Sequence, residues 1–308
     1  MNGKKKEKIL VIFNARAGTR TKDRFASVVF RELREHFETI SIMDSKSITH
    51  GETIVRDASH LFDLVAVFGG DGTINSIARG LLEKEVTLGI LPGGSGNGLA
   101  RNLKIPLLWR QSLDVLKHGE DHFFDVGIIN GHTFFNVSGI GLDGYISKQY
   151  NQDASVRGIL PYIYYGVKGV KECPEYHVQI SLDDREKIEK KIVLAAFANF
   201  KQYGGRAVIA PQAEADDGSL DLCLIEKFPF TRGVLGSTRL FTGSISRFPY
   251  YKSYTFRSLT IKSLSGPIPC TLDGEYIKDE TDTYTVRVVH NKVKIRIPPP
   301  QGRKESGT

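Results

Sequence analysis

Gly69-Gly70-Asp71-Gly72-Thr73 directly follows the apolar run Leu64 to Phe68. Glycines at the carboxyl end of a strand let backbone N–H groups converge on an anion with no Cβ in the way, and a helix starting there adds positive potential. Thr73 could add a hydroxyl donor. A second turn of the same character, Gly93-Gly94-Ser95-Gly96-Asn97-Gly98, follows the strand-like VTLGILP. One such turn reads more simply as a plain β-to-α connection. Two of them on adjacent strands of one sheet point to a phosphate site. It is not one of the two common kinds. Leu99 stands where GxGxxG needs its last glycine, and no GxxxxGK[ST] lysine loop occurs.

Other stretches offer oxygen and nitrogen ligands. Asp216-Asp217-Gly218 supplies the hard oxygens that Mg²⁺ prefers, or is simply a solvated acidic turn. Asp273-Gly274-Glu275, taken alone, reads as a two-residue hairpin turn. His118 and His122 have the i, i+4 spacing of zinc helices, but Gly119 lies between them and no third ligand is evident, so a metal role is not assigned. The aromatic stretch Pro161 to Val170 reads as core, with a lipid channel as the alternative.

The elements that must position these residues fall into two textures. The first 125 residues alternate strand-like and helix-like segments: KILVIFN, a helix ending in RELREHF, ETISIMDS, ITHGETIVRDASHLF, DLVAVFGG, INSIARGLLEK, VTLGILP and SLDVLKHGE. Alternation of this kind implies βαβ units and an open, mostly parallel sheet covered on both faces. From about Asp125 the chain is mostly short strands separated by Gly, Asp and Asn, as in a sandwich, with helix-like insertions at 155–170 and 230–243. The expected organisation is an α/β domain over 1–125, a β-rich domain over 126–300 and a polar tail over 301–308 that frays. A ligand cleft between the two domains is expected.

Composition narrows the class. The chain has 308 residues, a net charge of +7 and three widely spaced cysteines, Cys173, Cys223 and Cys270. The sparse, odd cysteine count suggests reduced thiols and the cytoplasm. No apolar run approaches the roughly 18 residues of a membrane span, and the N-terminus lacks the pattern of a signal peptide. The positive charge favours an anionic partner such as a nucleotide or an acidic membrane surface. Nucleic acid is not expected, because no helix-turn-helix, zinc-finger or RNP pattern accompanies the charge.

The segment Gly69 to Asn75, GGDGTIN, resembles the nucleotide signature of the diacylglycerol kinase catalytic-domain family, which includes sphingosine kinases and bacterial soluble lipid kinases. Four more segments agree in family order. Asn14-Ala15-Arg16-Ala17-Gly18 is similar to the opening N-P-x-[AS]-G, with Ala15 for the proline. LPGGSGNGLAR, Leu91 to Arg101, is similar to LPxGTxNDFAR. Ala210-Pro211 through Asp221 resembles the AP-x-A…DG-x-L-D stretch, and Leu272 to Glu275 resembles the late DGE. Two departures stand out. Gly98 replaces the aspartate of the bacterial diacylglycerol kinases, and Ser95 replaces the usual threonine, closer to the Ser-Gly-Asn-Ala run of sphingosine kinases.

The resemblance implies an ATP- and Mg²⁺-dependent lipid kinase, with the nucleotide held in the interdomain cleft by Asn14, Gly69, Gly70, Asp71, Gly72, Thr73, Asn75, Gly94, Ser95, Gly96 and Asn97. It implies Glu275 as general base with Asp273 in reserve, Asp71 beside the phosphates and metal, and Asp125 in an active-site network. It also implies a structural Mg²⁺ site at Glu214, Asp217 and Ser219. The expected reaction converts diacylglycerol to phosphatidic acid, by a cytoplasmic protein in peripheral contact with an anionic membrane. A sphingoid-base acceptor, or a non-catalytic nucleotide-binding regulator with the same fold, are the alternatives. A homodimer is left open.

Overall fold

A computed structural model describes residues 6–13, 22–82, 84–152, 168–169, 171–183 and 187–300. Asn14 and its motif, and most of the Pro161 to Val170 stretch, lie outside the described residues. The chain divides into two compact units. Unit 1 comprises residues 1–123 with 293–308, and unit 2 comprises 124–292.

Unit 1 contains β1 (Glu7–Phe13), α1 (Lys22–Leu33), β2 (Phe37–Asp44), α2 (Ile48–Ala58), β3 (Leu64–Gly69), α3 (Asp71–Leu81), β4 (Thr87–Pro92), α4 (Gly98–Asn102) and α5 (Trp109–His118). β5 (Glu120–Ile129) begins in it. The strands pair in parallel in the order β2-β1-β3-β4. β3 and β4 are buried at every residue, as strands covered on both faces must be, which is why they are near-continuous apolar runs. One face packs Ile9, Val11, Ala66 and Phe68 against Phe25 and Val29 of α1 and Leu113 and Leu116 of α5. Beside β4 lies Ile295, near the end of the last strand, in parallel register with Leu88. The neighbouring Arg296 anchors that return. Its guanidinium donates to both Glu7 oxygens at 2.7 and 2.8 Å, to Asp121 at 2.7 Å and to the Leu116 carbonyl at 3.1 Å.

Unit 2 contains β6 (His132–Phe134), β7 (Val137–Gly141), α6 (Leu142–Gln152), β8 (Tyr176–Leu182), β9 (Ile188–Ile192), β10 (Leu194–Ala198), β11 (Leu220–Ile225), α7 (Gly233–Phe241), β12 (Tyr251–Phe256), β13 (Ser258–Ser263), β14 (Ile268–Leu272) and β15 (Glu275–Thr281). Most of β16 (Thr283–Ile297) belongs to it too. One antiparallel sheet runs β12-β11-β10-β7-β14-β15; in the other, β13 lies between β16 and β8, and β9 follows β8. β13 alternates exposed and buried residues along its length, the signature of a sheet with one face on the core. Its Leu259 and Ile261 share a core with Val178, Ile140, Ala196 and Leu222, so the two sheets face each other as a sandwich. β7 and β10 are buried throughout.

Three features are not evident from residue pattern. The run YTFRSLTIKS is two strands in different sheets, β12 and β13. The switch at Arg257 is held by Asp183, whose Oδ1 accepts the Arg257 and Ser258 N–H groups at 2.9 and 2.8 Å. TYTVRVVH and KVKIRIPP form a single 15-residue strand, β16, whose residues from 293 onward belong to unit 1. α6 was not anticipated, because its sequence LDGYISKQYNQ carries a glycine and little amphipathic pattern. The glycine is required: a Cβ on Gly144 would come within 2.3 Å of the Pro269 backbone.

Candidate functional site

In unit 1 the two glycine turns form one structure. Gly69 and Pro92 are register partners at the ends of β3 and β4, and the Gly93 N–H donates to the Gly69 carbonyl at 2.8 Å. A Cβ on Gly94 would lie 2.7 Å from the Gly70 Cα, so the turns touch backbone to backbone and this position admits only glycine. Asn97 sits in the left-handed region (φ 48°) and clamps its own turn. Its Oδ1 accepts the Gly94 N–H at 3.0 Å, and its Nδ2 donates to the Gly94 carbonyl at 2.9 Å. The Arg101 Nε donates to the Gly96 carbonyl at 2.9 Å.

Asp71 opens α3, but its carboxylate is directed at the second turn. Oδ1 accepts the Gly98 N–H at 2.7 Å, and a Cβ on Gly96 would come within 2.8 Å of Oδ2. Burial pushes the Asp71 carboxyl above the usual carboxylate range, against the pull of backbone N–H donors from Gly98, Leu99 and Asn97. The carboxylate thereby caps the short α4. The start of α3 itself has Gly70 at its N-cap and no side-chain cap. The first N–H groups of a helix have no partner inside it, so α3 offers uncapped donors and the positive end of its dipole.

Unit 1 by itself presents groups suited to ATP. Uncapped amides and glycines without Cβ suit a polyphosphate. The Asn75 Oδ1 is buried with no hydrogen-bond partner, and an acceptor in that state suits the hydroxyl and amino donors of a nucleotide. Thr73 is half-buried and Ser95 exposed. The residues fit.

In unit 2 the Asp273-Gly274 pair is the two-residue hairpin that the sequence suggests. Leu272 pairs with Glu275, and φ is 49° and 89° at the two turn residues. Asp273 is pinned. Its Oδ2 accepts the Phe135 N–H at 3.0 Å, its Oδ1 accepts the Asn136 N–H at 2.8 Å, and its own N–H donates to the Ser138 hydroxyl at 3.2 Å. Glu275 is exposed, with no side-chain partner among the described residues. α6 braces the hairpin through the Ser147 hydroxyl, which donates to the Gly274 carbonyl at 3.2 Å.

Asp125 is fully buried and anchors a second cluster, joined to Phe135 by Asn199, whose Nδ2 donates to the Asp125 carbonyl at 2.8 Å and the Phe135 carbonyl at 2.9 Å. Oδ2 accepts the Gly218 N–H at 2.7 Å, and Oδ1 accepts the Asn291 N–H at 2.8 Å and contacts His290 Nδ1 at 2.7 Å. Asn291 Nδ2 lies 2.9 Å from His290 Nε2. Asp125 thus ties the Asp216-Asp217-Gly218 turn to β16. Within that turn, Asp217 Oδ1 accepts both the Ser219 N–H at 2.9 Å and its hydroxyl at 2.7 Å. Among the described residues, no group of three or more His, Cys, Asp or Glu side chains could hold a metal ion. The expected Mg²⁺ site at Glu214, Asp217 and Ser219 offers two carboxylates and a hydroxyl, and backbone carbonyls would complete it.

The sequence reading did not name the partners that fix these carboxylates: the Gly98, Phe135 and Asn136 amides, and His290. Nor did it name Asp143, buried on α6, whose Oδ2 accepts the Tyr203 hydroxyl at 2.5 Å. Burial raises the Asp143 carboxyl to about 7.

Among the described residues, no helix is long and apolar enough to cross a membrane. Residues 8–129 match the family model for the diacylglycerol kinase catalytic domain, and residues 136–295 match that for the YegS C-terminal NAD kinase beta sandwich-like domain. The chain is 29% identical over 245 residues to a diacylglycerol kinase of Bacillus subtilis, covering 74% of this chain and 78% of that one. It is 24% identical over 305 residues to one from Staphylococcus carnosus, covering 93% and 97%. A solved diacylglycerol kinase structure from Bacillus anthracis has the same fold, with TM-score 0.75 and 23% identity, covering 96% of this chain and 99% of that one. The fold of yeast NADH kinase is more distantly similar, with TM-score 0.55, 11% identity and coverage of 94% and 82%. The chain belongs to the diacylglycerol kinase catalytic-domain family and is a phosphotransferase, a lipid kinase with an alcohol group as acceptor.

Proposed function

We propose that the protein transfers the γ-phosphoryl group of ATP to the free hydroxyl of diacylglycerol, giving phosphatidic acid, at the cytoplasmic surface of a membrane. The observation that carries the reading is the uncapped start of α3, held against the second glycine turn by Gly94 and by the Asp71 carboxylate on Gly98. The α3 amides and Thr73 would bind and orient the phosphates, and Asn75 would accept a hydrogen bond from the nucleoside. Mg²⁺ carried in with ATP would neutralise phosphate charge.

Phosphoryl transfer leaves the protein to position the reactants and receive one proton. As the lipid oxygen bonds to the γ-phosphorus and the bond to the β-phosphate bridge breaks, the hydroxyl proton goes to Glu275 and ADP leaves. Glu275 is assigned as the base because its carboxylate is unengaged, whereas Asp273 is held by two amides and serves to fix the hairpin. Asp125 acts as an anchor of its loop, not as a proton carrier. Any cation at Glu214, Asp217 and Ser219 would draw on backbone carbonyls as well and would have no part in transfer.

The test is transfer of label from γ-labelled ATP in detergent mixed micelles holding diacylglycerol or a sphingoid base. Phosphatidic acid as the main product is expected. Preference for the sphingoid base would move the acceptor, in keeping with Ser95 and Gly98. No label on either lipid would end the reading.

A further inference from the structure

The loop between α4 and α5 breaks two rules of local stability without a gain visible in the fold. α4 ends in a Schellman motif, in which the Ile105 N–H donates to the Ala100 carbonyl at 2.9 Å and the Lys104 N–H to the Arg101 carbonyl at 3.2 Å. The left-handed residue that this motif requires is normally glycine. Here it is Lys104, at φ 56°. α5 then begins with Leu108 at its N-cap, where Ser, Thr, Asp or Asn would satisfy a free amide, and no side chain caps the helix. Leu107 and Leu108 are 36% and 67% exposed.

The loop nevertheless stands on a firm base. Ile105 is buried before the leucines, and Trp109 after them packs on Phe25 and Phe68, at ring-centroid distances of 4.9 and 5.9 Å. The two leucines therefore project from a fixed platform. Local rules broken in this way are expected at functional positions.

Charge identifies the occupant. From Val86 to Leu113 the chain carries no Asp or Glu, while Arg101, Lys104 and Arg110 are basic. Lys104 and Arg110 are exposed on either side of the leucines, and the Arg110 guanidinium lies 5.4 Å from the Trp109 ring centroid. A protein partner would need roughly 800 Å² from each side, far more than two leucines and two cations supply. A bilayer needs only shallow apolar insertion beside anionic head groups.

The geometry points to the 104–110 loop as the element by which this protein docks on an anionic lipid bilayer, with Leu107 and Leu108 inserted and Lys104 and Arg110 among the head groups. This rests on the lipid-acceptor reading above, and the experiment separates the two.

Sedimentation with vesicles of phosphatidylcholine alone, or of equal parts phosphatidylcholine and phosphatidylglycerol, is measured for the wild type, for Leu107→Ser/Leu108→Asn and for Arg110→Gln. The wild type should bind the anionic vesicles, less at high salt and less to phosphatidylcholine alone. Each leucine removed should cost about tenfold in binding. Arg110→Gln should weaken binding mainly at low salt. The thermal midpoint of the double variant should not fall, since Asn at the N-cap supplies the missing cap, and transfer in detergent micelles should be unchanged. Leu108→Asn alone serves if the double variant folds poorly. Wild-type protein that ignores anionic vesicles, or a double variant that binds them equally well, overturns the proposal. So does a double variant that binds vesicles normally but loses self-association. If the wild type phosphorylates no lipid in micelles while vesicle binding still falls in the variant, the acceptor reading fails and the docking surface stands.

Discussion

The glycine turns of unit 1 and the Asp-Gly hairpin of unit 2 use the same device to different ends. Each contains an aspartate whose carboxylate is held by backbone N–H groups from a distant segment: Asp71 by Gly98, and Asp273 by Phe135 and Asn136. What each latch leaves unengaged differs. In unit 1 the first amides of α3 remain uncapped, which suits binding an anion. In unit 2 a carboxylate remains, that of Glu275, which suits accepting a proton. An aspartate inside a motif is thus not by itself evidence of a catalytic aspartate. Its hydrogen-bond partners decide whether it acts or holds.

Breaking the two regions separately should give distinct signatures. The largest effect is expected for Glu275→Gln, which should lower kcat by about 10²- to 10⁴-fold, the usual span for loss of a general base, with the thermal midpoint unchanged. A variant that keeps wild-type kcat would move the base elsewhere.

Asp143→Asn sharpens the comparison with a buried carboxylate that no amide latches, for Asp143 has the Tyr203 hydroxyl instead. Because its folded value of about 7 lies above the ordinary 3.8, the fold favours the protonated form. Its contribution to stability is therefore present below about pH 4 and is lost as the pH rises through about 7. The asparagine variant escapes that loss. Its denaturation midpoint relative to wild type should climb between about pH 4 and pH 8, by the equivalent of a few kcal/mol. A difference that stays flat with pH would contradict the assignment.

Asp273→Ala should destabilise the protein by about 2–3 kcal/mol, as two amides lose a charged acceptor, and should lower kcat through the displaced hairpin. Asp273→Asn should recover only part of the stability, because its single carbonyl oxygen can hold one of the two amides while the Nδ2 donor faces the other. The smallest effect is expected for Asp71→Ala. Loss of the α4 cap should cost about 1 kcal/mol in urea denaturation and raise the KM for ATP more than it lowers kcat.

Much of this could be read in the sequence. The apolar runs of β3 and β4, followed by glycines, announced both the parallel sheet and the two close glycine turns, because burial on two faces and close backbone approach each demand particular residues. The Asp273-Gly274 hairpin was legible because only a few residue pairs suit a two-residue turn. The latches were not legible. Gly98 lies 27 residues from Asp71, and Asn136 lies 137 from Asp273, and a backbone amide leaves no mark on residue type. The return of β16 to unit 1 was hidden for a similar reason. Its alternating pattern shows that it is a strand but not which strand it joins, and the buried Arg296 with Glu7 and Asp121 looks like any three scattered charges.

The division of labour itself is tested most directly by equilibrium dialysis of labelled ATP against Gly94→Ala and Glu275→Gln. In the first variant a Cβ would meet the Gly70 backbone at 2.7 Å and disrupt the cradle. ATP binding should fall about tenfold or more in Gly94→Ala, if the contact costs at least about 1.4 kcal/mol, and should match wild type in Glu275→Gln. Normal ATP binding by Gly94→Ala, or its loss in Glu275→Gln, would contradict the account.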